Sequence, residues 1–171
     1  MRTLFLSALL GGTLALPAQA ADLKVAVEIP RLNVAEYHRP YVAIWIERED
    51  QSVAADLAVW YDLDKKDNEG AKWLKDIRQW WRRSGREHRY PIDGVSGATR
   101  PVGRHALDFP GDQTPLAGLP PGQYNLVVEA AREKGERELL RLPFAWPPAQ
   151  PAHANAQGAT ELGKVALDLA P

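Results

Sequence analysis

Residues 93–99 read Asp-Gly-Val-Ser-Gly-Ala-Thr and run on into Arg100 and Pro101. Two hydroxyls, Ser96 and Thr99, stand among residues too small to shield them. Gly97 and Ala98 allow a second molecule to approach closely, as an accessible loop must if a hydroxyl is to react. The plain structural reading is a turn: Asp93-Gly94 is a turn pair, and Ser96 or Thr99 can bond to backbone groups. No other stretch has comparable spacing. His38, His88, His105 and His153 are dispersed, without the short repeats of a metal site. His88 and His105 flank the 93–99 loop and are the one pair worth testing. Asp62, Asp64, Asp67, Asn68 and Glu69 hint at calcium, but they lack the central Gly and final Glu of a calcium loop, so a solvated turn is expected. No serine stands in a nucleophile elbow, and no hydroxyl has a visible base, which disfavours a hydrolase.

Elements of short period surround this loop. Residues 22–29 (DLKVAVEI) alternate Leu23, Val25, Val27 and Ile29 with smaller or polar residues, the period of a half-buried strand. Residues 41–47 (YVAIWIE) and 57–61 (LAVWY) are β-branched and aromatic runs, hence strands. Residues 71–83 (AKWLKDIRQWWRR) change period: Trp73, Ile77, Trp80 and Trp81 fall on one face of a predicted helix. Asp67 and Asn68 would cap its start, Arg82 and Arg83 suit its C-terminal end, and Gly85 would stop it. Its aromatic stripe is expected to pack as core. Arg78, Arg82, Arg83, Arg86 and Arg89 form a basic run, read as a solvated face that could also meet an acidic partner or a phosphate.

Residues 85–101 read as a loop. Further strands are expected at 105–109, 124–131, 139–144 and 162–169, with a turn-rich link at 115–122 and a turn around Gly135. Residues 147–158 are rich in Pro, Ala and Gln and read as a mobile segment. About seven short strands and one inserted helix predict a mostly β, immunoglobulin-like antiparallel sandwich.

The chain has 171 residues, 21 Lys and Arg against 22 Asp and Glu, six Trp and no Cys. Near-neutral charge gives no reason to expect nucleic acid as a partner. Without cysteine, neither disulfides nor thiolate metal sites are available. Arg2, an apolar run over 4–16, and Ala18-Gln19-Ala20 form the pattern of a cleavable export signal. Cleavage is expected after Ala20. The run is too short to span a bilayer as a stable helix. Expected organisation is therefore a signal peptide over 1–20 and one sandwich domain over 21–171, exported from the cytoplasm, with no membrane insertion after cleavage.

Two resemblances extend this reading. The D-x-x-S-G-A-T pattern resembles the acceptor motif at which periplasmic flavin transferases attach FMN to a Thr of flavin-binding domains. That resemblance implies Thr99 as the attachment site through a phosphoester, with Asp93, Ser96, Gly97 and Ala98 as recognition residues. Arg100, Arg104 and Arg89 would then be available to the phosphodiester, and Trp80, Trp81 and Tyr90 to the flavin ring. The mature chain also resembles a family of predicted bacterial periplasmic proteins carrying only a domain-of-unknown-function label. The shared segments are YVAIWIE, KWLKDIRQWW, DGVSGATRP and PPGQYNLVVEAAREKG, spread over most of residues 22–145. This likeness implies an immunoglobulin-like fold and companionship with flavin transferases and membrane-bound reductases bearing PepSY-type domains. The expected function is an FMN-carrying electron-transfer protein, a redox carrier more than a catalyst. The competing expectation is a cofactor-free periplasmic binding module.

Overall fold

A computed structural model describes residues 21–171. The expected export signal lies outside the described residues. Nine strands build two sheets. The smaller sheet holds β1 (Asp22–Ile29), β5 (Gly103–Pro110), β8 (Ala152–Gln157) and β9 (Lys164–Ala170), ordered β5-β1-β9-β8. The larger holds β2 (Tyr41–Arg48), β3 (Val53–Tyr61), β4 (Ser96–Ala98), β6 (Gly122–Ala131) and β7 (Arg137–Trp146), ordered β4-β3-β2-β6-β7. All pairings are antiparallel except that of β3 with β4, which is parallel. The protein is the expected mostly β sandwich. No helix among the described residues is long and apolar enough to cross a membrane.

Alternation in β1 sends Leu23, Val25, Val27 and Ile29 between the sheets, where they meet Ile44, Ile46, Leu126, Val128, Val165 and Leu167. β2 is apolar almost without interruption because both of its faces are covered. Its odd-numbered residues Ala43 and Trp45 join Val59, Tyr61 and Val127 on the outer face of the larger sheet. There Leu74, Ile77 and Trp80 of the inserted segment pack on them as a second core.

That insert departs from the single helix expected over 71–83. It is a 3-10 segment (Lys66–Asp76), a break at Ile77 (φ −77°, ψ 73°), a six-residue α1 (Arg78–Arg83) and a 3-10 turn (Gly85–Glu87). Asp67 and Asn68 do not cap it. They lie inside the first segment with φ of 54° and 56°, a conformation that Asp and Asn tolerate better than most side chains. Three residues per turn followed by a break destroys the shared face. Ile77 and Trp80 are buried, whereas Trp73 is 52% exposed.

Two segments read as loop contain strands. Residues 96–98 form β4, and Ala152–Gln157 forms β8, paired along its length with β9. Within the 147–158 segment read as mobile, residues 152–157 are thus a paired edge strand: it needs backbone pairing on one side, which β9 supplies, and little apolar alternation.

Candidate functional site

The 93–99 segment is held by its own backbone. Ser96 N–H and Val95 N–H both donate to the Ile92 carbonyl (2.9 and 3.2 Å), closing a turn in which Gly94 adopts φ +67°. Ile92 N–H donates to Ser96 Oγ at 2.8 Å, so this hydroxyl has the local bonding role that a turn serine often takes. Asp93 is exposed at the turn. β4 then runs beside β3, placing Gly97 opposite Trp60 and Ala98 opposite Tyr61. A Cβ on Gly97 would stand 3.4 Å from Trp60 Cδ1. Thr99 follows, its N–H donating to the Tyr61 carbonyl at 3.1 Å. The sheet thus fixes the backbone on which the Thr99 side chain stands.

Thr99 is half-buried and lines an open groove of about 700 Å³. None of Asp93, Ser96, Gly97, Ala98 or Arg100 lines it. The Arg100 guanidinium lies over the Trp60 ring, 5.3 Å from its centroid, and Trp60 also meets His105 edge-on. Arg89 and Arg104 are exposed and outside the groove wall. Trp80 is buried beneath the insert, and Trp81 stacks on Tyr90, whose hydroxyl donates to the Gly85 carbonyl. The aromatic side chains near Thr99 in sequence are thus mostly spent on packing.

Other residues, remote in sequence, furnish the groove. Tyr37 comes from the loop between β1 and β2, Tyr41 from the start of β2, and Trp73 from the 3-10 segment. Tyr41 donates its hydroxyl to the Gly70 carbonyl at 3.2 Å. Burial pushes the phenols of Tyr37 and Tyr41 above the ordinary tyrosine value, so both keep their protons at neutral pH. Six cations line the walls: Arg39, Lys65, Arg78, Arg132, Lys134 and Arg137.

Two buried carboxylates make those walls firm. Glu161 takes a two-pronged bond from Arg132 (2.9 and 3.1 Å) and a bond from Glu136 N–H (2.8 Å), which locks the β6–β7 turn against the loop before β9. Glu129, fully buried on β6, accepts Arg137 Nη1 at 2.9 Å and the backbone N–H groups of Gln79 and Trp80. It thereby joins the start of β7 to the start of α1. The Arg132–Glu161 pair, buried on both sides, is costly to break singly. At the outer edge, Glu36 accepts bonds from Lys134 (2.6 Å) and His38 (2.8 Å), and the Lys134 bond holds its carboxyl below the ordinary value.

His88 and His105 do not share a site. His88 bonds Asp56 at 3.0 Å beside Trp80, whereas His105 sits on β5 and bonds the Pro101 carbonyl. Among the described residues no three His, Asp or Glu gather as metal ligands. In the acidic stretch, Asp62 pairs with Lys65 and Glu69 with Lys72, both at 3.1 Å and in solvent.

The groove was not foreseeable from spacing, because its walls come from a strand-free loop, a broken helix and a hairpin turn. The advance signals were Thr99 and, in the basic run, Arg78. Comparison with curated proteins finds no match, and neither does comparison with solved structures. A family model described as "Predicted periplasmic protein (DUF2271)" matches residues 22–164. With that span covering most of the sandwich, the insert and the 93–99 loop, the chain belongs to the DUF2271 family of predicted periplasmic proteins.

Proposed function

We propose that this protein is a periplasmic electron carrier holding one FMN as a phosphoester on Thr99. The observation that carries the reading is the position of Thr99 at the wall of the groove. Of the residues of the D-x-x-S-G-A-T pattern, the threonine is the one that meets a cavity of ligand size. The surrounding chemistry fits the group: exposed aromatic rings suit a flat heterocycle, and guanidinium groups suit a phosphodiester. The family description supports the compartment, and the export signal expected over residues 1–20 would deliver the chain there.

In the attachment step, the Thr99 oxygen attacks the FMN-side phosphorus of a flavin adenine dinucleotide. One P–O bond forms, the pyrophosphate bond breaks, AMP departs, and the hydroxyl proton passes to a base of the flavin transferase. No electron changes hands. Thr99 acts as an anchor, while the sheet holds its backbone still. The bound flavin supplies one- and two-electron chemistry; the chain supplies position, charge and shelter. A membrane-bound reductase would be the electron donor.

The test is intact mass of the mature protein co-expressed with an active flavin transferase. A gain of one FMN less one water, absent in Thr99→Ala, is the expected result. An unmodified mass, with the transferase active on a control substrate, sinks the reading and leaves the groove to a binding module without cofactor.

A further inference from the structure

We propose that the flavin on Thr99 is seated in the groove, its ring system between Trp73 and Tyr37 and its phosphodiester facing Arg39 and Arg78, and does not swing free on its tether. This rests on the attachment proposed above, but on different observations. Four large apolar side chains are exposed among the described residues: Val34, Tyr37, Trp73 and Val102. The two aromatic ones line the same groove, and it is the groove of Thr99. Leaving an indole half in water forgoes burial that this chain gives to Trp45, Trp60 and Trp80. Trp73 lies in the 3-10 segment, whose three residues per turn put Leu74 and Ile77 on the buried face and Trp73 off it.

The charges select the anionic end. Of the six groove cations, four already have carboxylate partners: Arg132 with Glu161, Arg137 with Glu129, Lys134 with Glu36, and Lys65 with Asp62. Arg39 and Arg78 have none within 4.0 Å among the described residues. They come from separate elements, one from the loop before β2 and one from the first residue of α1. A phosphodiester carries one negative charge and two free oxygens, which a pair of guanidinium groups can bond directly. The carboxylates Asp62, Asp76, Glu133 and Glu136 also line the groove, but among the described residues none lies within 4.0 Å of either guanidinium, so both remain open to an anion.

The test uses holoprotein from transferase co-expression, with FMN loading confirmed by mass before any optical reading. Flavin emission in the wild type should lie severalfold below that of free FMN at equal absorbance, because a stacked indole or phenol quenches it. Trp73→Leu with Tyr37→Leu should restore emission severalfold at unchanged loading. Arg39→Gln with Arg78→Gln should do the same by releasing the phosphodiester, and added salt should raise the wild-type emission toward that of the arginine variant. Fully loaded wild type that emits like free FMN, or loaded variants that emit like the wild type, overturns the seat while leaving the attachment intact. Absence of loading overturns the attachment, and the seat with it.

Discussion

Trp80 donates its backbone N–H to the buried carboxylate of Glu129 at 2.9 Å. The first turn of α1 is thereby bonded to the larger sheet through a side chain, not through its own cap, for the helix has no side-chain cap bond. Glu129→Ala would strand Arg137 and two N–H groups. Because Arg137 is part-exposed, the cost comes mainly from the orphaned N–H groups, and a loss of about 1–3 kcal/mol is expected, read from urea unfolding of the apoprotein. Glu129→Gln should lose less, since the amide oxygen still accepts. Equal losses would mean that the acceptor oxygen retained by Gln contributes nothing to docking the insert.

Asp56 ties down the same segment from β3. It accepts Trp80 Nε1 at 2.7 Å, Ser84 Oγ at 3.1 Å and His88 Nε2 at 3.0 Å. Asp56→Ala leaves a buried indole N–H without an acceptor, at a cost of about 1–3 kcal/mol. Ser84→Ala removes one donor from a carboxylate that keeps two others, so it should cost less. If the serine variant proves the more damaging, this ordering of the network is wrong.

Acid should weaken the protein in part through Glu138. Burial alone would raise its carboxyl, but the N–H groups of Ala159, Leu162, Thr160 and Glu161 outweigh that and hold it below the ordinary value. A carboxyl lowered on folding contributes stability that is present above its unfolded value, near ~4.3, and is lost as pH falls through the lower folded value. Glu138→Gln should therefore lower stability at neutral pH and flatten the decline across that window. Parallel stability–pH curves for the two proteins would show that Glu138 has no part in it.

Two glycines should differ in what they tolerate. Gly94 has φ +67° with open space around it, so Gly94→Ala should cost about 1 kcal/mol from backbone conformation alone. At Gly70 a Cβ would meet the Asp62 carbonyl oxygen at 2.0 Å, a backbone atom with little freedom to yield. Gly70→Ala should cost more and disturb the Tyr41 bond at the groove. Thermal unfolding of both variants decides it; a milder effect at Gly70 would contradict the close contact.

The strands were legible where burial imposed a pattern. β1 alternates because one of its faces meets the core, and β2 is apolar throughout because both faces are covered. β8 was hidden because Ala152, His153 and Asn155 need only backbone pairing with β9. β4 was hidden because three residues are too few to show a period. The helical reading of 71–83 placed Trp73 with Trp80; backbone geometry separated them, and the groove owes its most exposed ring to that separation. Thr99 was legible as chemistry, but its surroundings were not. Tyr37, Trp73 and Arg78 reach it only through tertiary packing.

The parallel pairing of β3 with β4 has an architectural consequence. The chain leaves the sheet at Tyr61 and rejoins it so closely that Val59 N–H bonds the Val95 carbonyl and Thr99 N–H bonds the Tyr61 carbonyl. Residues 62–95 are thus a cassette whose two ends share one address on the sandwich. Topologically it could be exchanged without rethreading any other strand. Energetically it could not simply be removed, because it roofs Trp45, Val59 and Tyr61. Variation within this cassette can therefore reshape one wall of the groove while Thr99, fixed just after β4, stays in place.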